Sequence, residues 1–349
     1  MNNANFFSDF TDVSQDIAGM MNLHLRYVDL FAGGGGLSCG FNMAGLEGIA
    51  AVEFDKAAVS TYVTNFSHPV VSGDITLTAT KNELYSIVRE RCGDGTIDIL
   101  AGGPPCQGFS MAGKRNPADP RNRLYIDYME IVKHLKPGYV VMENVEGMKS
   151  MDKGVVVRKI LSDLRELGYD VECYVLNAVG YGVAQYRERL IFIGNRYGAK
   201  NLFPAPFVSP DNYVTVTDAI SDLAHAPECA VFSHVYTNHS AEYVARIHRL
   251  RPGDRLSEKY RGTLRRLYPD RPSFTVTYSK GSCDIHPVCD RVLTPRELAR
   301  LQSFPDDFLF CGSKGDQGKI IGNAVPPLMA KAIALAVLRM EQCRRASLP

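Results

Sequence analysis

Up to about residue 195 the chain alternates short apolar runs with amphipathic stretches. The apolar runs predict strands at Tyr27–Phe31, Ile49–Phe54, Ile97–Ala101, Tyr139–Met142, Val171–Leu176 and Leu190–Ile193. Between them, helical periodicity covers Lys56–Phe66, Lys81–Cys92, Leu124–Leu135 and Val155–Leu167. In the last of these Val156, Ile160, Leu161, Leu164 and Leu167 fall on one face, as in a helix docked on a sheet. Regular βαβ alternation of this kind predicts an α/β fold, with a mostly parallel sheet and helices on both sides.

The rhythm breaks after Arg196. Residues 201–210 carry three prolines, and the chain beyond them is irregular and rich in arginine. This predicts a second, smaller domain over residues 198–300. Order returns at Thr294-Pro295-Arg296-Glu297, where Thr as N-cap and Pro at the first position announce a helix. Residues 301–349 then read as a hinge and an apolar helix, Pro327–Met340, that needs a surface to cover it and packs back on the first sheet. Residues 1–24 form a polar, acidic lead without the basic start of a signal peptide, expected to be a tail or to lie upstream of another start.

Composition changes this picture little. Hydrophobic residues at 45% and charged residues at 22% exclude disorder for the bulk of the chain. No apolar run approaches the ~20 residues of a membrane span, so no membrane association is expected. Nine cysteines without a CxxC pair argue against a disulfide framework and for a reducing, cytoplasmic setting. Cys283, His286 and Cys289 have ligand-like spacing, but no fourth ligand stands nearby, and no metal site is assigned. Lysine and arginine total 39 against 38 acids, so net charge suggests no partner. Their distribution is uneven. From Arg246 to Arg271 nine Lys/Arg, among them Arg265 and Arg266, face three acids. Alone, such a run also describes a solvated charged face.

Candidate chemistry clusters at the predicted strand ends. The first strand runs into Ala32 and the four glycines Gly33, Gly34, Gly35 and Gly36, a turn that lets a ligand approach a helix N-terminus. Glu53 ends the next strand, where a carboxylate can accept ribose hydroxyls, and Asp74 precedes Ile75 at the end of a third segment. A dinucleotide, S-adenosylmethionine or a bare tight turn would all suit this half. Gly102-Gly103-Pro104-Pro105-Cys106-Gln107 narrows the choice, because the prolines stiffen the approach to a thiol at the carboxyl edge of the sheet. Glu143-Asn144-Val145, Gln185-Tyr186-Arg187-Glu188-Arg189 and Gly322-Asn323-Ala324-Val325-Pro326 mark three further turns. A nucleophile, an acid and a cationic oxygen binder therefore converge on one edge.

Taken in order, these segments resemble the motifs of the DNA (cytosine-5) methyltransferases, most closely the compact bacterial enzymes of restriction–modification systems. Asp29-Leu30-Phe31-Ala32-Gly33, Pro104-Pro105-Cys106-Gln107, Glu143-Asn144-Val145, Gln185-x-Arg187-x-Arg189, Leu293-Thr294-Pro295-Arg296-Glu297 and the Asn323 turn carry the resemblance. It implies a Rossmann-like S-adenosylmethionine-dependent catalytic domain over 25–197 and a target-recognition domain over 198–300. It further implies Cys106 as nucleophile, Glu143 and Arg189 as base-pocket groups, and Arg187 in their support. Phe31, Gly33–Gly36, Glu53, Asp74, Ile75, Pro104, Asn323 and Val325 would line the cofactor pocket. Lys114 and Arg115, in the segment after the nucleophile, would contact double-stranded DNA together with Arg265 and Arg266. The resemblance also implies a monomer that flips its target cytosine, and a restriction endonuclease that reads the same site. A tRNA methyltransferase usually carries Cys-Phe-Thr, which is absent here, and a catalytically silent relative would not need Cys106, Glu143 and Arg189 together.

Overall fold

In a computed structural model of the protein, residues 23–105, 120–256, 264–278 and 283–347 are described, for 120–123 in backbone only. Seven strands form one sheet: β1 (Arg26–Leu30), β2 (Glu47–Glu53), β3 (Val70–Ser72), β4 (Ile99–Gly102), β5 (Tyr139–Val145), β6 (Asp170–Asn177) and β7 (Glu188–Asn195). Their order across the sheet is β3-β2-β1-β4-β5-β7-β6. Helices α1 (Gly36–Met43), α2 (Lys56–Asn65), α3 (Thr78–Cys92), α4 (Pro120–Leu135) and α5 (Val155–Glu166) connect the strands up to β6. The expected periodicities become these elements within a few residues. In α5 it is Val156, Ile160 and Leu164 that are buried, while Leu161 and Leu167 are partly covered.

Two features depart from the sequence expectation. Val70–Ser72 was not among the expected strands; three residues are too few to show a period. The final strand, β7, runs antiparallel to both β5 and β6, although the other four strand pairings are parallel. Ten residues without an α-helix join β6 to β7, too short a path for a parallel crossover.

The sheet is covered on both faces. One face packs Leu84, Val88, Tyr128, Val132 and Ile160 of α3, α4 and α5. The other takes Leu37 and Phe41 of α1, together with Met329, Ile333 and Val337 of the last helix, α10 (Pro327–Ala346). That helix is six residues longer than its apolar pattern and does return to the sheet, as expected. By length and composition it belongs to a stretch able to cross a membrane, yet its apolar side is consumed by this packing.

Among the described residues, 198–294 hold two short α-helices, α6 (Val216–Ile220) and α7 (Ala241–His248), two 3-10 turns, and isolated bridges such as Arg255 to Arg265. Then come α8 (Pro295–Leu301) and α9 (Lys314–Asn323). The Thr294 cap and Pro295 read from the sequence do start α8, and Glu297 adds a reciprocal capping box with Thr294. A third apolar cluster joins Val216, Ile247 and Leu267 to Leu298, Phe304 and Ile321.

Candidate active site

Strand order reverses between β1 and β4, and in open α/β sheets ligands bind outside the carboxyl ends at that point. Phe31, directly after β1, has φ of 58° and Gly33 has φ of 56°. A bulky residue in left-handed conformation is uncommon and persists only where its surroundings enforce it. The four glycines then divide. A Cβ on Gly33 would meet nothing within 4 Å, so the turn is open there. On Gly34, Gly35 and Gly36 it would lie 2.3 Å from Ile320 Cγ2, 2.3 Å from Phe66 Cε2 and 2.5 Å from the Val325 carbonyl. Those three let α1 press against its neighbours.

Glu53, at the end of β2, is mostly buried and fully oriented. Its Oε2 accepts from Gly33 N–H at 2.8 Å, and Oε1 accepts from Phe54 and Asp55 N–H at 2.9 and 2.8 Å. Three bonds leave a carboxylate room for about one more donor. Gly73 N–H donates to the Glu53 carbonyl at 3.0 Å, which brings the exposed Asp74 and the buried Ile75 alongside. Asn323 is exposed at the end of α9, and Val325 follows it against Gly36.

The second half of the site lies across the reversal. Asn144 Nδ2 donates to the Pro104 carbonyl at 2.8 Å, tying the end of β5 to the Pro-Pro approach. Cys106, Lys114 and Arg115 lie outside the described residues. Because β7 is antiparallel, its start comes to the edge where β5 ends. Glu143 faces Ile191 in register, so Arg189 is its diagonal neighbour on the same face. Arg189 Nε lies 2.8 Å from Glu143 Oε1, with both side chains largely buried. Burial raises the Glu143 pKa above the ordinary carboxyl range, opposed by Arg189 and then Arg187. A carboxyl tuned in this way can share a proton with a ring nitrogen.

Comparison with known proteins gives the family. Residues 25–339 match the family model of C-5 cytosine-specific DNA methylases. The chain belongs to that family. The Type II methyltransferase M1.HphI of Haemophilus parahaemolyticus is 41% identical over 91% of this chain and 88% of its own length. M.DdeI of Desulfomicrobium norvegicum, also a Type II methyltransferase, is 36% identical over 89% and 88% respectively. Among solved structures, a DNA modification methyltransferase encoded within an E. coli prophage superposes with a TM-score of 0.74, at 28% identity over 91% of this chain and 99% of that one. The fold is therefore that of a Rossmann-like methyltransferase, and the protein is a DNA cytosine-5 methyltransferase.

Not every residue assigned from sequence sits as expected in the methylase. Arg187, expected in support of the base-pocket groups and not as one that touches the base, is wholly buried, with its guanidinium on the carbonyls of Gly322, Ala324 and Val276, at 2.9, 3.0 and 3.2 Å. It is a positioning group. Burial draws its pKa down, followed by the repulsion of Arg189, but a guanidinium starts high enough to stay charged at neutral pH. Arg266, expected on the DNA-facing wall, is buried; it donates to the Ile247 carbonyl at 2.9 Å and pairs with Asp290. Arg265 instead stacks its guanidinium 3.9 Å from the centre of the Phe274 ring. Cys283, His286 and Cys289 serve separate partners: the Leu293 carbonyl, the Val288 and Cys289 N–H groups, and the Ala224 carbonyl.

Two features near this edge were not read from the sequence. Phe54 is 73% exposed directly after Glu53, and an aromatic following a strand-ending carboxylate was the available signal. The other is a buried chain. Ser38 Oγ donates to Asp29 Oδ2 at 2.6 Å and bonds Tyr62 OH at 2.7 Å, which in turn bonds His68 Nε2 at 2.7 Å. It clamps β1 to α1 and α2, and no local pattern announces it.

Proposed function

We propose that this methylase transfers the methyl group of S-adenosylmethionine to carbon 5 of a flipped-out cytosine in double-stranded DNA, through a covalent bond from Cys106 to carbon 6. The observation that carries this reading is the Glu143–Arg189 pair at 2.8 Å, on the edge where the Pro104 approach to Cys106 is held by Asn144. The Cys106 thiolate adds at carbon 6 while Glu143 bonds ring nitrogen 3 and the exocyclic amine, and Arg189 bonds the carbonyl oxygen at position 2. Carbon 5 becomes enamine-like and takes the methyl group. Loss of the carbon 5 proton then breaks the carbon–sulfur bond and frees the thiolate. Inside a duplex the base cannot reach these groups, so it leaves the stack.

S-adenosylmethionine supplies the electrophilic methyl group when bound. The residues suit it: open space over Gly33, a fixed carboxylate at Glu53 for ribose, the exposed Phe54 ring for a flat base, and Asp74 for an amino group. Phe31, Ile75, Pro104, Asn323 and Val325 complete the pocket. Residues 198–300 read the DNA sequence, with Arg265, Lys114 and Arg115 on phosphates. The likeness to Type II methyltransferases supports a role in protecting DNA against an endonuclease of the same specificity; we further propose that the protein acts as a monomer.

A duplex containing 5-fluorocytosine tests the covalent step, because fluorine at carbon 5 blocks elimination. The wild type should form a denaturant-stable adduct in the presence of cofactor. Cys106→Ser should form none and transfer no labelled methyl group, yet still bind DNA and cofactor. Normal methylation by the variant removes the covalent assignment.

A further inference from the structure

Buried polar side chains are costly unless every group finds a partner, and one such cluster lies where three parts of the chain meet. Gln185 and Gln302 are both fully buried, and Gln185 Nε2 donates to Gln302 Oε1 at 2.9 Å. The other ends of the two amides reach in opposite directions. Gln185 Oε1 accepts from Val276 N–H at 2.7 Å, and Gln302 Nε2 donates to the Ile321 carbonyl at 2.7 Å. Arg187 spans the same gap with one guanidinium, from the Val276 carbonyl to those of Gly322 and Ala324.

What lies on either side gives the cluster its meaning. Residues 273–276 are zipped to the Gln185 loop, since Ser273 N–H donates to the Ala184 carbonyl and Tyr186 N–H to the Ser273 carbonyl, both at 2.9 Å. Phe274 of that segment carries the Arg265 guanidinium. On the far side is the turn through Asn323 and Val325, pressed against Gly36 beside the open glycine turn. Two residues beyond Arg187, Arg189 pairs with Glu143.

We infer that Gln185, Arg187 and Gln302 are positioning residues that couple the DNA-reading segment to the cofactor pocket, so that occupation of either site tightens the other. Sliding residues 273–276 against residues 321–325 would strand buried donors and acceptors, so the two sides hold one arrangement together. A ligand that fixes one side then pre-orders the other, and by linkage the effect is reciprocal. This rests on the proposed roles of residues 198–300 and of the Asn323 turn.

The test is the dissociation constant of S-adenosylhomocysteine for the full chain, with and without a saturating duplex cut from DNA that the wild type methylates. The duplex should tighten binding of the wild type on the order of tenfold, within the usual range for coupled sites. Arg187→Lys and Gln302→Met, checked for folding by thermal melting, should bring that ratio close to one, with a smaller change in affinity without DNA. Variants that fold and keep the wild-type ratio overturn the inference, as does a wild-type ratio of one. A measurement on the wild type needs no variant: DNA should slow amide hydrogen exchange across residues 320–325, and unchanged exchange there also overturns it. If the wild type binds no S-adenosylhomocysteine at all, the cofactor assignment fails first.

Discussion

Arg266 gives its guanidinium to the Ile247 and Pro287 carbonyls and to the Asp290 carboxylate, whereas Arg265 lies half-buried across the Phe274 ring. The two neighbours should therefore respond differently to removal. Arg266→Ala leaves the Ile247 and Pro287 carbonyls without their buried donor and Asp290 with His248 alone, and should cost about 1–3 kcal/mol in denaturant unfolding. Arg265→Ala should melt near the wild type but weaken DNA binding. If Arg265 neutralises one phosphate, the slope of log affinity against log salt falls by about 0.9, measured by fluorescence anisotropy on specific and unrelated duplexes alike. An unchanged slope and affinity would place Arg265 outside the DNA cleft. The run of charge from Arg246 to Arg271 was visible in the sequence; which of its members turn inward was not.

At the scale of elements, the contact between α1 and the turn before α10 links stability to the proposed cofactor pocket. A Cβ on Gly36 would stand 2.5 Å from the Val325 carbonyl and 2.9 Å from Ala324 Cβ. The first of these is backbone and cannot rotate away, so Gly36→Ala must part α1 from the turn. Overpacking of this kind costs about 1–3 kcal/mol. Thermal melting should show that loss, and titration with S-adenosylhomocysteine should show weaker binding. Gly33→Ala meets no atom and should cost only its left-handed backbone, about 1 kcal/mol. Equal behaviour of the two variants would disprove the division of labour among the glycines. The glycine run itself was legible, but which glycine answers to a ligand and which to packing depends on Phe66 for Gly35, and on residues almost 290 positions away for Gly34 and Gly36.

The whole molecule carries opposing titrations that make its stability depend on pH. Burial pushes Asp29 up to about 7, with Ser38 opposing and Glu53 assisting, and burial pushes Asp284 up to about 7 as well. A carboxyl raised in the fold contributes stability in full below its unfolded value of about 4, and that contribution is lost as pH rises through 7. His68 and His286, drawn down to about 4 by burial, tilt the other way, because protonation below about 6.5 favours the unfolded chain. Burial would raise Glu341, but bonds from Arg344, Arg345 and Tyr139 outweigh it and hold it at about 2, so its contribution is lost only in acid. Asp29→Asn isolates one member of this set. Between pH 5 and 7 its stability relative to the wild type should climb by up to about 1.4 kcal/mol per pH unit, read from urea unfolding at each pH. Parallel curves would mean that Asp29 is not titrating in the fold.

The sequence by itself determined what is local. Apolar runs marked six of the seven strands, helical periods marked α2 to α5, Thr294 with Pro295 marked the start of α8, and the ordered motifs from Asp29 to Val325 pointed to the family. Those signals survive because strand period, capping and turn chemistry are decided within a few residues. Tertiary structure alone decided that β7 runs antiparallel, which sets Arg189 diagonal to Glu143, and that the Arg187 and Arg266 guanidiniums are spent inside the protein. It alone assembled the Gln185–Gln302 pair, whose members are 117 residues apart. Burial and register belong to contacts between distant segments. A side chain's role follows from what surrounds it, and no stretch of sequence contains its own surroundings.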